Sequence, residues 1–230
     1  MLKEKKDIGI FFDGIAGTYD MLNHILSLNI DKKWRCKTIQ QLSSVSNLLD
    51  VAIGTADLAI EAMRQQKATY IQGLDLSCEM MRIGKEKVDK AGLTNRIGFD
   101  YGSALDMPYE NNTFDALTCA YGVRNFSDID KGLSEFFRVL KPGSQLVILE
   151  LSYPENRIIR AVYDLFFTYV LPFIGCIFSH NKSAYIYLNR SVKEFICGEE
   201  MVSRMQNAGF KKVTFKPLTF GITTIYTAVK

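Results

Sequence analysis

Short apolar segments rich in β-branched residues alternate with longer segments of helical periodicity through the middle of the chain. The strand pattern occurs in NLLDVAI (47–53), TYIQGLDL (69–76), RIGFDYG (96–102), FDALTCAYG (114–122) and SQLVILELS (144–152). Helical patterns lie between them at 56–66, 77–92 and 128–143. Strands and helices that alternate at this spacing predict an α/β fold with a mostly parallel, doubly wound sheet.

The C-terminal part of the chain has a different pattern. Residues 153–195 form a long, aromatic, helix-like segment, and a further helix is predicted over 199–210. Two alternating segments, KVTFKPL (212–218) and ITTIYTAV (222–229), then follow and are joined by a short turn. They predict an antiparallel hairpin at the edge of the sheet, which brings the expected number of strands to seven.

Two helix boundaries have local causes in the sequence. Ser77 precedes the second helical pattern without a Glu three residues later, so it is expected to be a plain N-cap. Lys141, Pro142 and Gly143 are expected to end the third pattern, because proline cannot continue a helix and glycine turns the chain.

The composition narrows the class of protein. The chain has 230 residues, of which 47% are hydrophobic, and 28 basic against 25 acidic residues give a net charge of +3. No basic run offers a stripe for a phosphate backbone, so no nucleic-acid partner is expected. The five cysteines form neither a C-x-x-C pair nor a zinc spacing. We therefore expect reduced thiols, no metal site and a cytoplasmic protein; the charged start MLKEKKD also differs from a secretory signal.

The most apolar segment, residues 161–178, raises the question of a membrane span. It carries a single charge, Asp164, and is interrupted by Pro172 and Gly175. A spanning helix needs about 20 predominantly apolar residues. We therefore expect a single domain of 1–230 without a membrane span, in which 1–46 is a helical start and 153–195 is a helical insertion after the core at 47–152. Residues 196–230 supply the last helix and the hairpin.

The end of the first strand is the place to look for a ligand, because open α/β sheets bind ligands at the carboxyl ends of their strands. Gly54 lets the chain turn there, and Asp75 ends the second strand 21 residues later (75 − 54). This spacing suits a carboxylate that accepts the ribose hydroxyls of a nucleoside cofactor. The alternative is a simple turn glycine and a solvated acid. The loop G-T-A-D-L-A lacks two glycines of the dinucleotide fingerprint, which favours S-adenosylmethionine over NAD.

Several segments together resemble the menaquinone/ubiquinone biosynthesis C-methyltransferases. They are 11–35 (FFDGIAGTYDMLNHILSLNIDKKWR), 49–59 (LDVAIGTADLA), 74–81, 108–128 (with GVRNFSD at its end), 136–154 (with RVLKPG) and 207–210. The resemblance runs from about residue 10 to the end of the chain. It implies a class I methyltransferase (Rossmann-like) fold and methyl transfer from S-adenosylmethionine to a ring carbon of a demethylated isoprenoid quinol. Demethylmenaquinol is the first expectation, and a benzoquinol of the ubiquinone pathway is the alternative.

Cofactor contacts carry over from this family to positions in four loops of the chain. They are Gly54, Thr55, Asp75, Ser103, Ala104 and Ala120. The chain departs from the family pattern at Ala56, where glycine is usual, and at Ser103, where an acidic or amide residue is usual. A methyl group at Ala56 is expected to narrow the approach of the methionine part, and it is strained if φ is positive there. Both changes predict weaker cofactor affinity.

The resemblance also supplies the catalytic candidates Tyr19, Arg124 and Asn125. A guanidinium stays protonated, so we interpret Arg124 as the cation that lowers the pKa of the acceptor hydroxyl. Water or Tyr19 would then accept the proton, while Asn125 fixes the orientation of the ring. The alternative for Arg124 is a plain ion pair with an acid such as Asp128. Asp50 is expected to organise the loop, and neither histidine is selected by its spacing.

The apolar segment 161–178 is the expected binding surface for the isoprenoid tail. Two interpretations stay open: a buried helical cap over the sheet, or a surface that touches the inner face of the membrane. A homo-oligomer also stays open. Two further functions remain as alternatives, namely methylation of another small or lipidic acceptor and a non-catalytic protein with the S-adenosylmethionine-binding fold.

Overall fold

The computed structural model describes residues 5–170 and 182–230, and within them seven strands form one sheet. The strands are β1 (Val45–Val51), β2 (Ala68–Asp75), β3 (Ile97–Tyr101), β4 (Phe114–Ala120), β5 (Leu140–Leu151), β6 (Lys211–Leu218) and β7 (Thr223–Val229). Their order is β3, β2, β1, β4, β5, β7, β6; β1 to β5 are parallel, and β7 runs antiparallel to β5 and β6. The predicted doubly wound α/β sheet, its seven strands and its C-terminal hairpin are confirmed.

Helices cover both faces of this sheet. In the described residues they are α1 (Lys5–Asp13), α2 (Ala16–Leu26), α3 (Ile30–Ile39), α4 (Asp57–Arg64), α5 (Cys78–Lys90), α6 (Ile129–Val139), α7 (Arg157–Leu165), α8 (Lys182–Glu194) and α9 (Glu199–Asn207). A π-helical turn, Phe166–Val170, continues α7. Ser77 caps α5 as predicted, since its hydroxyl accepts the Met80 N–H at 3.1 Å.

Alternate residues of each central strand feed two separate apolar clusters. Leu48 of β1 packs with residues of α3, α4 and α5 on one face, whereas Leu49 packs with residues of α6 and α9 on the other. Both leucines are fully buried. This arrangement is the three-layer packing expected when a mostly parallel sheet has helices on both faces.

Strand β5 begins at Leu140, earlier than the predicted start at residue 144. Leu140 pairs with Phe114 of β4, and the next pair joins Gln145 to Ala116. The residues between them therefore form a bulge, in which proline is tolerated because no regular ladder bond is required. Helix α6 ends at Val139 with Leu140 as its C-cap, so the helical pattern predicted to 143 was four residues too long. Pro142 lies two residues after that cap, which agrees with its predicted role as a stop signal.

The N-terminal helices are attached to the cofactor side of the sheet by polar side chains. Asp13, at the end of α1, accepts hydrogen bonds from the Ser77 hydroxyl at 2.6 Å and the Glu79 N–H at 2.9 Å. Asp20 of α2 accepts from Thr55 at 2.7 Å and pairs with Lys87 at 2.9 Å. These contacts place α1 and α2 beside the carboxyl ends of β1 and β2.

The insertion predicted at 153–195 is helical in the part that the structure describes. Helix α7, the π-helical turn and α8 belong to it, while residues 171–178 of the apolar segment lie outside the described residues. Among the helices that are described, none combines the length and the apolar character needed to cross a membrane.

Candidate active site

A cleft opens at the carboxyl ends of the parallel strands, at the point where the strand order reverses between β1 and β4. Its volume is about 820 Å³, including space open to solvent. The end of β1, the end of β2, the loop after β3 and the end of β4 form its floor, and Ile8, Phe12 and Tyr19 of the N-terminal helices form one wall. This is where an open α/β sheet is expected to bind its ligand.

Gly54 and Asp75 lie together at one end of the cleft. The Gly54 N–H donates to Asp75 Oδ2 at 2.8 Å, and the Ser77 N–H donates to Asp75 Oδ1 at 2.9 Å. Gly54 has a φ of +54°, a conformation that glycine adopts at little cost. The backbone thus holds the carboxylate in one orientation, and each of its oxygens keeps a free acceptor position toward the cleft.

The charge on Asp75 is set by opposing effects. Burial raises the pKa of Asp75 above its ordinary value, and the N–H groups of Ser77 and Gly54 oppose that rise. A carboxylate held in this way is an acceptor whose oxygens are already oriented before a ligand arrives. It can accept two adjacent hydroxyl groups, as the predicted ribose contact requires.

The other cofactor candidates divide between the cleft and the core. Ser103, Ala104 and Ala120 line the cleft, and the Ser103 hydroxyl also accepts the Leu105 N–H at 3.2 Å. Thr55 is not part of this lining; it is buried, and its hydroxyl donates to Asp20 instead. The predicted contact of Thr55 with the cofactor therefore has no counterpart among the residues that line the cleft.

Ala56 has the positive φ that was predicted to strain it, at +64°. Its methyl group, however, is fully buried in the apolar cluster beneath α4 and does not line the cleft. The expectation that this methyl narrows the approach to the cofactor was wrong, because the loop turns the side chain into the core. The strain remains, at roughly 1–2 kcal/mol for a non-glycine residue in this region.

Arg124 is buried behind the cleft and is paired with an acid that the sequence did not indicate. Its Nη1 donates to Glu150 Oε1 at 2.8 Å and to the Tyr121 carbonyl at 2.5 Å. The side chains of Arg124 and Glu150 are only 5% and 0% exposed. Asp128, the partner considered from the sequence, caps α6 by accepting the Lys131 N–H at 2.9 Å. The alternative of an ion pair between Arg124 and Asp128 was therefore wrong, because Arg124 pairs with Glu150 instead.

Burial alone would lower the pKa of Arg124, but the Glu150 carboxylate, together with Tyr19 and Tyr187, opposes it and keeps the pKa above its ordinary value. The Arg124 N–H also donates to Glu150 Oε2 at 3.1 Å. Glu150 thus neutralises the guanidinium and holds the short helical turn Val123–Asn125 in place. Arg124 supports the cleft from behind and is not among the residues that line it.

Tyr19 and Asn125 also line the cleft, and Asn125 follows β4, which β1 separates from the strand that ends at Asp75. Burial raises the pKa of Tyr19 above its ordinary value, although Arg124 opposes the rise. The Asn125 amide donates to the Tyr121 carbonyl at 3.1 Å and accepts from the Tyr187 hydroxyl at 2.9 Å. The two family-matched polar groups therefore line one cleft with Asp75.

The comparisons with known proteins agree with this geometry. The model of the ubiE/COQ5 methyltransferase family matches residues 1–230. The chain belongs to this family. It is 44% identical over 230 residues to a demethylmenaquinone methyltransferase of Bacteroides fragilis, which covers 99% of this chain and 94% of that protein. It is 42% identical over 222 residues to the ubiquinone/menaquinone biosynthesis C-methyltransferase UbiE of Geotalea daltonii, covering 95% and 94%.

Solved structures share the fold of this methyltransferase at low sequence identity. The cyclase SpnF has a TM-score of 0.71 and 17% identity, over 98% of this chain and 96% of its own. A SAM-dependent methyltransferase from Aquifex aeolicus has a TM-score of 0.59 and 19% identity, over 81% and 83%. These similarities concern the fold alone; the family membership confirms the predicted methyltransferase activity.

Sequence reasoning missed two residues of this methyltransferase that support the cleft. Glu150 lies near the end of an apolar strand pattern, where an acid signals a buried partner, but no spacing connects it to Arg124. Tyr187 lies in the helix-like insertion and has no motif around it. Both contacts depend on the three-dimensional packing of distant elements.

Proposed function

We propose that this methyltransferase transfers a methyl group from S-adenosylmethionine to a ring carbon of a demethylated isoprenoid quinol, with demethylmenaquinol as the acceptor. The observation that carries the proposal is one cleft with two chemically different ends. The oriented carboxylate of Asp75 lies at one end, and the phenol of Tyr19 and the amide of Asn125 lie at the other. Such a cleft can hold a nucleoside and a hydroxylated ring together.

The residues at the first end fit S-adenosylmethionine. Asp75 would accept the ribose hydroxyls, and Ser103, Ala104 and Leu105 would form the adenine wall. Ala120 lies between the two ends, at the carboxyl end of β4. When bound, S-adenosylmethionine supplies an electrophilic methyl group on a sulfonium. Because no phosphate is present in it, the single glycine of the loop is sufficient for its approach.

At the second end, we assign hydrogen-bond donors to the acceptor ring. The raised pKa of Tyr19 keeps its phenol protonated near neutral pH, so Tyr19 donates to a ring oxygen and does not begin as the base. Asn125 keeps one amide hydrogen for the same task. Two donors aimed at a quinol oxygen stabilise the phenolate that makes the neighbouring carbon nucleophilic. Water in the cleft accepts the hydroxyl proton. After methylation, the ring carbon loses its own proton to water and the oxygen regains one, which restores the aromatic quinol.

Arg124 acts on the acceptor end through its charge, without touching the acceptor. Its guanidinium favours negative charge on nearby oxygens, and Tyr19 already experiences it. The pairing with Glu150 weakens this effect but fixes the position of the cation. We therefore place Arg124 as a buried support for the turn that presents Asn125.

We further propose that helix α7 touches a lipid surface from which the quinol is taken. Ile158, Val162, Leu165 and Tyr169 recur at helical spacing and are all exposed. Arg157 and Arg160 lie on the same helix and suit anionic headgroups. Val162→Asp should reduce sedimentation with anionic vesicles, whereas Tyr70→Asp, on the exposed side of β2, should not; equal binding of both variants would contradict the proposal.

The test of the function is turnover of chemically reduced acceptors, followed by mass spectrometry. The purified protein is given S-adenosylmethionine with demethylmenaquinol or with a demethylated benzoquinol of the ubiquinone pathway. We expect a methylated product from demethylmenaquinol. Product from the benzoquinol alone would assign the other pathway, and no product from either, with a folded protein, would support a non-catalytic role.

Asp75→Ala tests the cofactor end within the same experiment. Loss of two hydrogen bonds to a charged acceptor should weaken cofactor binding by about 100-fold, read by isothermal titration. Asp100→Ala is the matched control, because Asp100 lies near the carboxyl end of β3, next to β2, but accepts a hydrogen bond from Tyr109 and does not line the cleft. If both variants bind the cofactor as the unchanged protein does, Asp75 is not the ribose ligand.

A further inference from the structure

Tyr187 connects three parts of the molecule that surround the acceptor end of the cleft. It lies on α8, within the insertion, and its hydroxyl donates to Asn125 Oδ1 at 2.9 Å. Its ring packs against Phe11 of α1, with ring centroids 4.7 Å apart. A single side chain thus touches the insertion, the N-terminal helix and the turn that carries Asn125.

Two hydrogen bonds hold the Asn125 amide in one orientation, one to the Tyr121 carbonyl and one from the Tyr187 hydroxyl. Asn125 Nδ2 donates to the Tyr121 carbonyl at 3.1 Å, so the reversed amide would bring two acceptor oxygens together there. With Oδ1 held by Tyr187, the second hydrogen of Nδ2 is the group left for a ligand. Because Asn125 lines the cleft, this orientation determines whether it offers a donor or an acceptor.

The surroundings of Tyr187 keep its phenol protonated, so that it has a hydrogen to donate. Burial raises its pKa above the ordinary value, while the Arg124 guanidinium opposes the rise. The phenol is therefore protonated over the pH range in which a quinol is methylated. Tyr187 is not part of the cleft lining, so it acts on a ligand only through Asn125.

We propose that Tyr187 is a positioning residue for the methyl acceptor, because it transmits the placement of α8 to the amide that faces the acceptor ring. The proposal rests on the quinol methylation proposed above. When α8 packs in the described arrangement, Asn125 presents its N–H to the ring oxygen. When α8 is displaced, the amide loses one of its two anchors and is held by the Tyr121 carbonyl alone. The placement of α8 is thereby coupled to the chemistry.

A double-mutant cycle tests this coupling. Tyr187→Phe removes the hydroxyl while keeping the ring against Phe11, and we expect kcat to fall about tenfold, with KM for S-adenosylmethionine unchanged. In an Asn125→Ala background, the same substitution should cause no further loss, since its route of action is gone. A purely structural tyrosine would lower kcat by the same factor in both backgrounds.

Tyr70→Phe is the matched control, because Tyr70 also donates to a side-chain amide, Gln72 Oε1 at 3.2 Å, but on the outer part of β2. It should leave kcat unchanged. Circular dichroism melts check each variant, and Asn125→Ser replaces Asn125→Ala if the latter unfolds. If Tyr187→Phe lowers kcat by the same factor in both backgrounds, or leaves kcat unchanged, Tyr187 is not a positioning residue. Absence of turnover by the unchanged protein overturns the proposed function itself.

Discussion

The two ends of the cleft are held in place by different kinds of contact. At the cofactor end, the backbone N–H groups of Gly54 and Ser77 orient Asp75, and all three lie at the ends of adjacent strands. At the acceptor end, side chains from distant elements meet: Asn125 with Tyr187, and Arg124 with Glu150. The sheet itself builds the first end, whereas the second exists only when the surrounding elements have packed.

This difference has a chemical consequence. The cofactor end binds the methyl donor, which does not change with the acceptor, and a site formed by backbone groups tolerates changes in nearby side chains. The acceptor end must match one ring, and side chains from helices can change without disturbing the sheet. A substitution that affects only one end of the cleft therefore shows what each end contributes to stability and activity.

The largest expected effect comes from removing the acid behind the acceptor end. Glu150→Ala leaves the Arg124 guanidinium buried without its partner, which should lower the free energy of unfolding by about 3–5 kcal/mol. Urea unfolding measures the loss. Glu194→Ala is the control, because its 2.7 Å pair with Arg190 is exposed on both sides, and such pairs contribute about 0–1 kcal/mol. Similar losses in the two variants would mean that Glu150 does not stabilise Arg124.

The contrast also explains what the sequence could predict. Strand periodicity predicted all seven strands and the hairpin, because alternation and turn residues are local signals. The pair Gly54 and Asp75 followed from spacing along the chain. These features depend on residues close in sequence or on a fold rule that fixes where strands end.

The features that the sequence did not indicate depend on the direction in which a loop turns a side chain and on the packing of distant elements. Thr55 and Ala56 follow Gly54 directly, yet both point away from the cleft, toward Asp20 and the core respectively. Likewise, Glu150 and Tyr187 reach their partners only after β5 and α8 have packed beside the Val123–Asn125 turn. Periodicity carries no information on such contacts.

The second prediction concerns a buried acid beneath the cofactor end, Asp50, which forms no ion pair within the part of the chain that the structure describes. Asp50 of β1 accepts from Thr118 at 2.7 Å, and burial raises its pKa to about 7, with the nearby Asp75 adding to the rise. The folded protein thus holds this proton more tightly than the unfolded chain does. The stability from Asp50 is therefore full below its unfolded pKa, near 4, and is lost as the pH rises through 7.

Between pH 4 and 8, this loss amounts to at most about 4 kcal/mol, at about 1.4 kcal/mol for each unit of pKa shift. Asp50→Asn keeps an acceptor for Thr118 and removes the titration, so urea unfolding at pH 5 and pH 8 should show a smaller difference in the variant. Asp115→Asn is the control with the opposite sign, since Lys141 lowers the pKa of Asp115. If Asp50→Asn retains the full pH dependence, the proton responsible lies on another group, of which Asp75 is the first to test because burial also raises its pKa.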